Sequence, residues 1–257
     1  MNNNEIIWAY HGVIQEIYKL ESLKCLRGEN DSYMIKDKQI LLWHSSVTRR
    51  CMIKYEFDRN KNLDDLLLHS DEIMHFTAQL YLYKPYLNDP IKDAVVTSET
   101  TIYPNNQNFE AKRYYMYTDI VCEKLYSFWH RIGDLIASFF PNLIIKSRIY
   151  FTTAFDIIPI EYHDHESYIW LKKFRENEYK ELNDKRREIV HYTSSNTQSL
   201  HSHLFDVGDK QEIEKWIQKR GEITEFSKRH IYLSLDGVYH TLTLLEYIDK
   251  IIFDDIN

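Results

Sequence analysis

"AKRYYMYTDIVCEKLYSFWHRIGDLIASFF", residues 111–140, carries apolar side chains at helical spacing. At roughly 3.6 residues per turn, Tyr117, Val121, Leu125, Phe128, Trp129, Ile132, Leu135 and Ile136 fall on one broad stripe about five turns long. So wide a stripe has to be covered by other helices, so the segment predicts a core helix of a bundle. Pro141 cannot continue the hydrogen-bond ladder and predicts its end.

Working outward, the downstream stretch "NLIIKSRIYFTTAFDIIPIEY", residues 142–162, stays open between strand and short helix. Residues 163–192 read as helix, with Trp170, Phe174, Leu182 and Ile189 on one face and Asp164 or His165 able to cap its start. A long final helix is expected from Lys210 to Phe253, with a break at Gly221 or Gly237, since glycine costs about 1 kcal/mol against alanine in a helix interior. Upstream, Ile6, Tyr10, Val13, Ile14, Ile17 and Leu20 recur at helical spacing, as do Leu63, Leu66, Leu67, Ile73, Phe76 and Leu80. Periodicity does not decide between helix and strand for residues 39–57. The turn chemistry of "YPNNQN" inside residues 97–113 marks a boundary. The expected organisation is all-α: a mainly helical N-terminal region over residues 1–108 and an antiparallel helical bundle over 109–257. Six glycines and five prolines in 257 residues agree with long helices rather than a turn-rich β fold.

Composition removes several classes of function. With 44% hydrophobic residues the chain can bury a sizeable core. Its formal charge of −7 disfavours general duplex binding, so any nucleic-acid contact has to come from a local basic patch. Cys25, Cys51 and Cys122 are odd in number and far apart, which suits neither a disulfide framework nor a metal knuckle. No secretory leader pattern and no apolar run of membrane-spanning length is visible, so a cytoplasmic protein is expected. His163 and His165 lie two apart, which on a helix points them to different sides, and helix capping accounts for that segment better than metal ligation. His201 and His203 read the same way. Gly-rich phosphate loops, a Gly-x-Ser-x-Gly elbow and a dinucleotide fingerprint are missing, so no cofactor and no metal is expected.

One cluster remains: "NDKRREIVHYTSSN", residues 183–196, where Lys185, Arg186 and Arg187 precede His191 at the end of a helical pattern. An imidazole with an ordinary pKa near 6.5 can move protons at neutral pH, and an arginine that keeps its proton can hold phosphoryl charge. On an ideal helix Arg186 and His191 lie about 140° apart, and Arg187 and His191 about 40° apart. The polar run from Thr193 suggests that the helix frays at His191, which would free its direction.

Arg-x4-His at a helix end in an all-helical chain resembles the HEPN superfamily, marked by arginine followed after four to six residues by histidine. "EKLYSFWHRIGDLIASFF" is similar to the first long helix of bacterial HEPN families, and "WLKKFRENEYKELNDKRREIVHY" to their motif helix, so that the resemblance covers residues 110–253. It implies a metal-independent endoribonuclease cutting single-stranded RNA by 2′-hydroxyl attack, with Arg186 and His191 catalytic and Arg187, Tyr192 and Asn196 in support. It further implies a homodimer bringing two motif helices together, and a role as a toxin or anti-phage effector, with an antitoxin protein as a possible partner. One position departs from the pattern: many active members carry Asn, Asp or His after the motif arginine, where this chain has Arg187, a side chain that accepts no hydrogen bonds. Two other readings stay open. One is a non-catalytic HEPN-like module for RNA or nucleotide binding or dimerisation; the other is a regulatory all-α protein whose cations merely complement a helix dipole.

Overall fold

The computed structural model of the chain describes residues 2–50, 59–103, 108–140, 149–191 and 210–254. The described residues form helices α1 (Asn3–Leu20), α2 (Ile40–Arg50), α3 (Arg59–Tyr83), α4 (Phe109–Ala137), α5 (Phe151–Asp156), α6 (Glu166–Glu176), α7 (Glu178–His191) and α8 (Lys210–Asp254). Two antiparallel hairpins of two-residue strands accompany them, β1 (Met34–Ile35) with β2 (Lys38–Gln39) and β3 (Val95–Val96) with β4 (Thr101–Ile102). The fold is all-α, and the hairpins are too small to act as layers.

Two compact units are built from interleaved segments: residues 1–23, 73–123 and 184–230 make one, and residues 24–72, 124–183 and 231–257 the other. In the first unit α4 buries Ala111, Tyr114, Tyr115, Thr118, Val121 and Cys122, the i, i+3, i+4, i+7 pattern of a core-facing stripe. The Tyr114 hydroxyl donates to the Arg220 carbonyl at 3.0 Å and lies 2.9 Å from Thr224 Oγ1, so the polar end of a fully buried ring is satisfied by α8. Burial pushes its phenol up to about 12. Arg220 in turn donates to the Asn88 carbonyl at 2.8 Å and lies over the Trp216 ring.

Helix α1 starts with a capping box: the Asn2 side chain accepts from Glu5 N–H at 2.9 Å, and the Glu5 carboxylate accepts from Asn2 N–H at 2.9 Å. Its inner side meets α3 through Tyr18, whose hydroxyl is 3.3 Å from His75 Nδ1, and through Tyr10, which accepts from Gln79. Ile14 is the one buried residue of α1. The periodic apolar residues on either side of it are largely uncovered.

The second unit is centred on Trp129 of α4, which stacks on Phe174 of α6 at 4.0 Å and meets Phe151 of α5 at 4.9 Å and Tyr179 of α7 at 6.3 Å. Gly237 of α8 is required there, because a Cβ at that position would collide with the Trp129 ring. Helix α8 therefore runs unbroken from Lys210 to Asp254, and the expected interruption at Gly221 or Gly237 does not occur. Residues 39–57, undecided by periodicity, form α2 as far as Arg50, because Ile40, Trp43 and Val47 are buried at helical spacing; residues 51–58 lie outside the described residues. Trp43 Nε1 donates to the Leu242 carbonyl at 3.1 Å. The ambiguous 142–162 stretch resolves, over its described part, into the short helix α5 and a 3-10 turn at Ile160–Tyr162.

The helix expected over 163–192 is two helices. Asn177, at φ −115° and ψ −84°, separates them, and its side chain donates to the Lys173 carbonyl at 2.8 Å. His165 caps α6, accepting from Ser167 N–H at 3.1 Å, while His163 Nε2 donates to the Ile158 carbonyl at 2.9 Å and stacks on Tyr168. Both histidines of "HDHE" are thus engaged in local structure. Among the described residues no group of three or more His, Cys, Asp or Glu is arranged to hold a metal ion, and no helix is long and apolar enough to cross a membrane.

Candidate functional site

The three consecutive cations of α7 go to three different surroundings. Lys185 reaches α8, its ammonium 4.7 Å from the centroid of the Phe226 ring. Arg186 reaches α4: its Nε lies 3.2 Å from Glu123 Oε1 in an ion pair spanning 63 positions of the chain. Arg187 is exposed. Turning about 100° per residue, a helix sends neighbouring side chains in different directions, so a run that looks like one patch in the sequence divides into a packing cation, a held cation and a solvated one.

The Arg186 side chain is 23% exposed and that of Glu123 40%. At that exposure the pair adds only about 0.2–1 kcal/mol to stability, so its main effect is geometric: it fixes the guanidinium against α4. Two buried groups belong to the same unit. Cys122 is buried, and burial pushes its thiol up to about 12 against the opposing pull of Lys185, which makes it an inert packing group. His230 on α8 is fully buried against Phe226, with ring centroids 4.3 Å apart. Burial, reinforced by Arg229 and Lys185, lowers its pKa to about 3. His230 is therefore a neutral core imidazole at physiological pH and not a proton-transfer group for solvent-borne substrate.

Helix α7 extends through His191, whose backbone is helical. His191 is the last described residue of that helix, so the fraying expected from the polar run after it concerns residues 192–209, which lie outside the described residues. The positions of Arg186 and His191 then lie about 140° apart around one helix axis. The His191 side chain, Tyr192 and Asn196 lie outside the described residues, as do His201 and His203. Glu123 and His230 were not found by reading the chain. Glu123 stands beside the α4 core stripe in "VCEKL" with nothing in its neighbourhood to tie it to a residue 63 positions on, and His230 reads as one more polar residue of a long helix.

Residues 66–249 match the HEPN_Cthe2314-like HEPN family. A match over well more than half of the chain defines its class: the protein is a HEPN-domain protein, and it belongs to the HEPN_Cthe2314-like family. The matched range begins within α3 and ends in α8. No curated protein and no solved structure matches the chain.

Proposed function

We propose that the protein is a metal-independent endoribonuclease acting on single-stranded RNA, with Arg186 and His191 as its catalytic residues. The observation that carries the reading is Arg186 itself: in a HEPN-family chain, the motif arginine is held by Glu123 at 3.2 Å while only partly exposed, five positions before a histidine at the end of the same helix. Glu123 supplies the hydrogen-bond acceptor that Arg187, next to the motif arginine, cannot. It thereby compensates for the departure from the family pattern.

In the reaction, the ribose 2′-oxygen attacks the adjacent phosphorus and the P–O5′ bond breaks. The products are a 2′,3′-cyclic phosphate and a 5′-hydroxyl. One proton leaves the 2′-hydroxyl and one is delivered to the departing 5′-oxygen; a histidine with its pKa near neutrality serves such transfers. Arg186 holds the charge that gathers on the non-bridging oxygens. Because Arg186 and His191 stand about 140° apart on one helix, the working pair is made between copies: a two-fold dimer sets the arginine of one motif helix beside the histidine of the other. Tyr192 and Asn196 are assigned supporting contacts to RNA, and Arg187 a phosphate contact at the rim. A toxin or anti-phage role, and control by an antitoxin protein, follow from the same proposal.

The second reading, a HEPN module that binds RNA without cutting it, is favoured by the second cation, Arg187, after the motif arginine. The test is cleavage of a cellular RNA pool by the purified protein in EDTA, with the ends analysed. Cyclic phosphate ends that disappear in Arg186→Ala and His191→Ala support the nuclease. RNA retained on the protein but left intact selects the binding module.

A further inference from the structure

Helix α1 precedes the family-matched residues, and most of its apolar surface is uncovered: Ile6 is 51% exposed, Trp8 74%, Val13 47% and Leu20 73%. Contiguous apolar exposure of this kind marks a contact surface. Gly12 sits mid-helix, where a Cβ would meet nothing within 4 Å. Glycine weakens a helix interior, and no contact among the described residues asks for it there. A small residue on an exposed helix face does, however, let a second backbone come close.

Glu5, Ala9, Gly12, Glu16 and Lys19 recur at spacings of four, three, four and three, which places them within about 80° of arc on one seam of α1. Ile6, Val13 and Leu20 border the seam on one side and Trp8 on the other. Two of the seam's three charged residues are placed symmetrically about Gly12, Glu5 seven positions before it and Lys19 seven after, while Glu16 stands four after it. Two such helices crossing antiparallel at Gly12 bring each Glu5 level with the Lys19 of the other copy, and Glu5 is already fixed by the capping box. A parallel pair would instead set Glu5 against Glu5. An anionic membrane is a poor match, since Lys19 is the one lysine of α1 and no arginine accompanies it, against two glutamates.

We propose that α1 is a self-association surface, occupied by α1 of a second copy, antiparallel and crossing at Gly12. It is independent of the catalytic reading and of the motif-helix dimer.

Sedimentation of the full chain tests it. Gly12→Leu places a side chain in space that the single chain leaves open, so the helix content by circular dichroism stays at or above that of the wild type while the assembled mass halves, a pair of effects that misfolding cannot produce. Glu5→Lys and Lys19→Glu each weaken association at least tenfold, and the double variant Glu5→Lys/Lys19→Glu restores it. The proposal is overturned if Gly12→Leu leaves the mass unchanged, or if the double variant stays as dissociated as the single ones. It is equally overturned if the wild type shows no association that depends on Gly12 but binds phosphatidylserine vesicles through Trp8.

Discussion

At the residue scale, the held arginine and the buried histidine carry the account. Arg186 touches Glu123, and removing that carboxylate has two separable consequences. Glu123→Ala removes one tether of the guanidinium, so kcat of the proposed reaction falls about 10- to 100-fold. Removing a negative charge beside a phosphate-binding cation also tightens RNA binding, so KM falls as well. Steady-state cleavage kinetics separate this from mere destabilisation, which lowers activity without lowering KM. Glu123 was not recognisable as the partner of Arg186, because an ion pair across 63 residues leaves no periodic mark in the sequence. Arg186 itself was legible because a family motif names its position.

His230 makes a pH prediction. Its folded pKa, about 3, lies well below the ordinary value of 6.5, so between those values the unfolded chain binds a proton that the folded chain does not. The associated stability is fully present above pH 6.5 and is lost as the pH falls toward 3, by at most about 1.4 kcal/mol for each unit. His75 and His240 are lowered in the same direction by burial. His230→Phe keeps a ring against Phe226 and removes the titration. Its denaturation midpoint should depend less steeply on pH between 6.5 and 4 than that of the wild type; an unchanged slope would remove His230 from the account.

At the scale of elements, the lesson lies in what a helical period does and does not specify. The α4 stripe was read from the sequence and is buried much as expected, though Tyr117 and Leu135 are only partly covered while Ala111, Tyr114 and Thr118 are fully so. The same kind of period in α1 marks a face that the chain leaves open, because spacing defines a side and not its cover. Helix α8 was expected to break at a glycine, since the sequence displays the propensity cost of Gly237 but not the Trp129 ring that needs the space. The two glycines of α8 consequently differ. Gly221→Ala, with nothing within 4 Å of the new Cβ, should stabilise by about 1 kcal/mol. Gly237→Ala should destabilise by about 1–3 kcal/mol through overpacking against Trp129. Thermal melts of the two variants moving in the same direction would contradict this description of α8.

At the scale of the whole molecule, the proposed ribonuclease requires an acidic chain of formal charge −7 to meet a polyanion through one local cluster. In that proposal the dimer is part of the chemistry, because the helix positions of Arg186 and His191 lie about 140° apart. RNA binding should weaken steeply with salt, and Arg187→Ala should reduce the slope of log Kd against log salt by about one phosphate contact while leaving the cleaved ends unchanged. Binding titrations at several salt concentrations check this; an unaltered slope would place Arg187 away from the RNA.

The central claim is that a working site takes its arginine from one copy and its histidine from the other. Arg186→Ala and His191→Ala should each be inactive in EDTA when assayed alone. Mixed and allowed to exchange subunits, they should regain cleavage with 2′,3′-cyclic phosphate ends, since half of the sites in a mixed dimer carry both intact groups. A mixture as inactive as its components, beside an active wild type, would contradict the shared site.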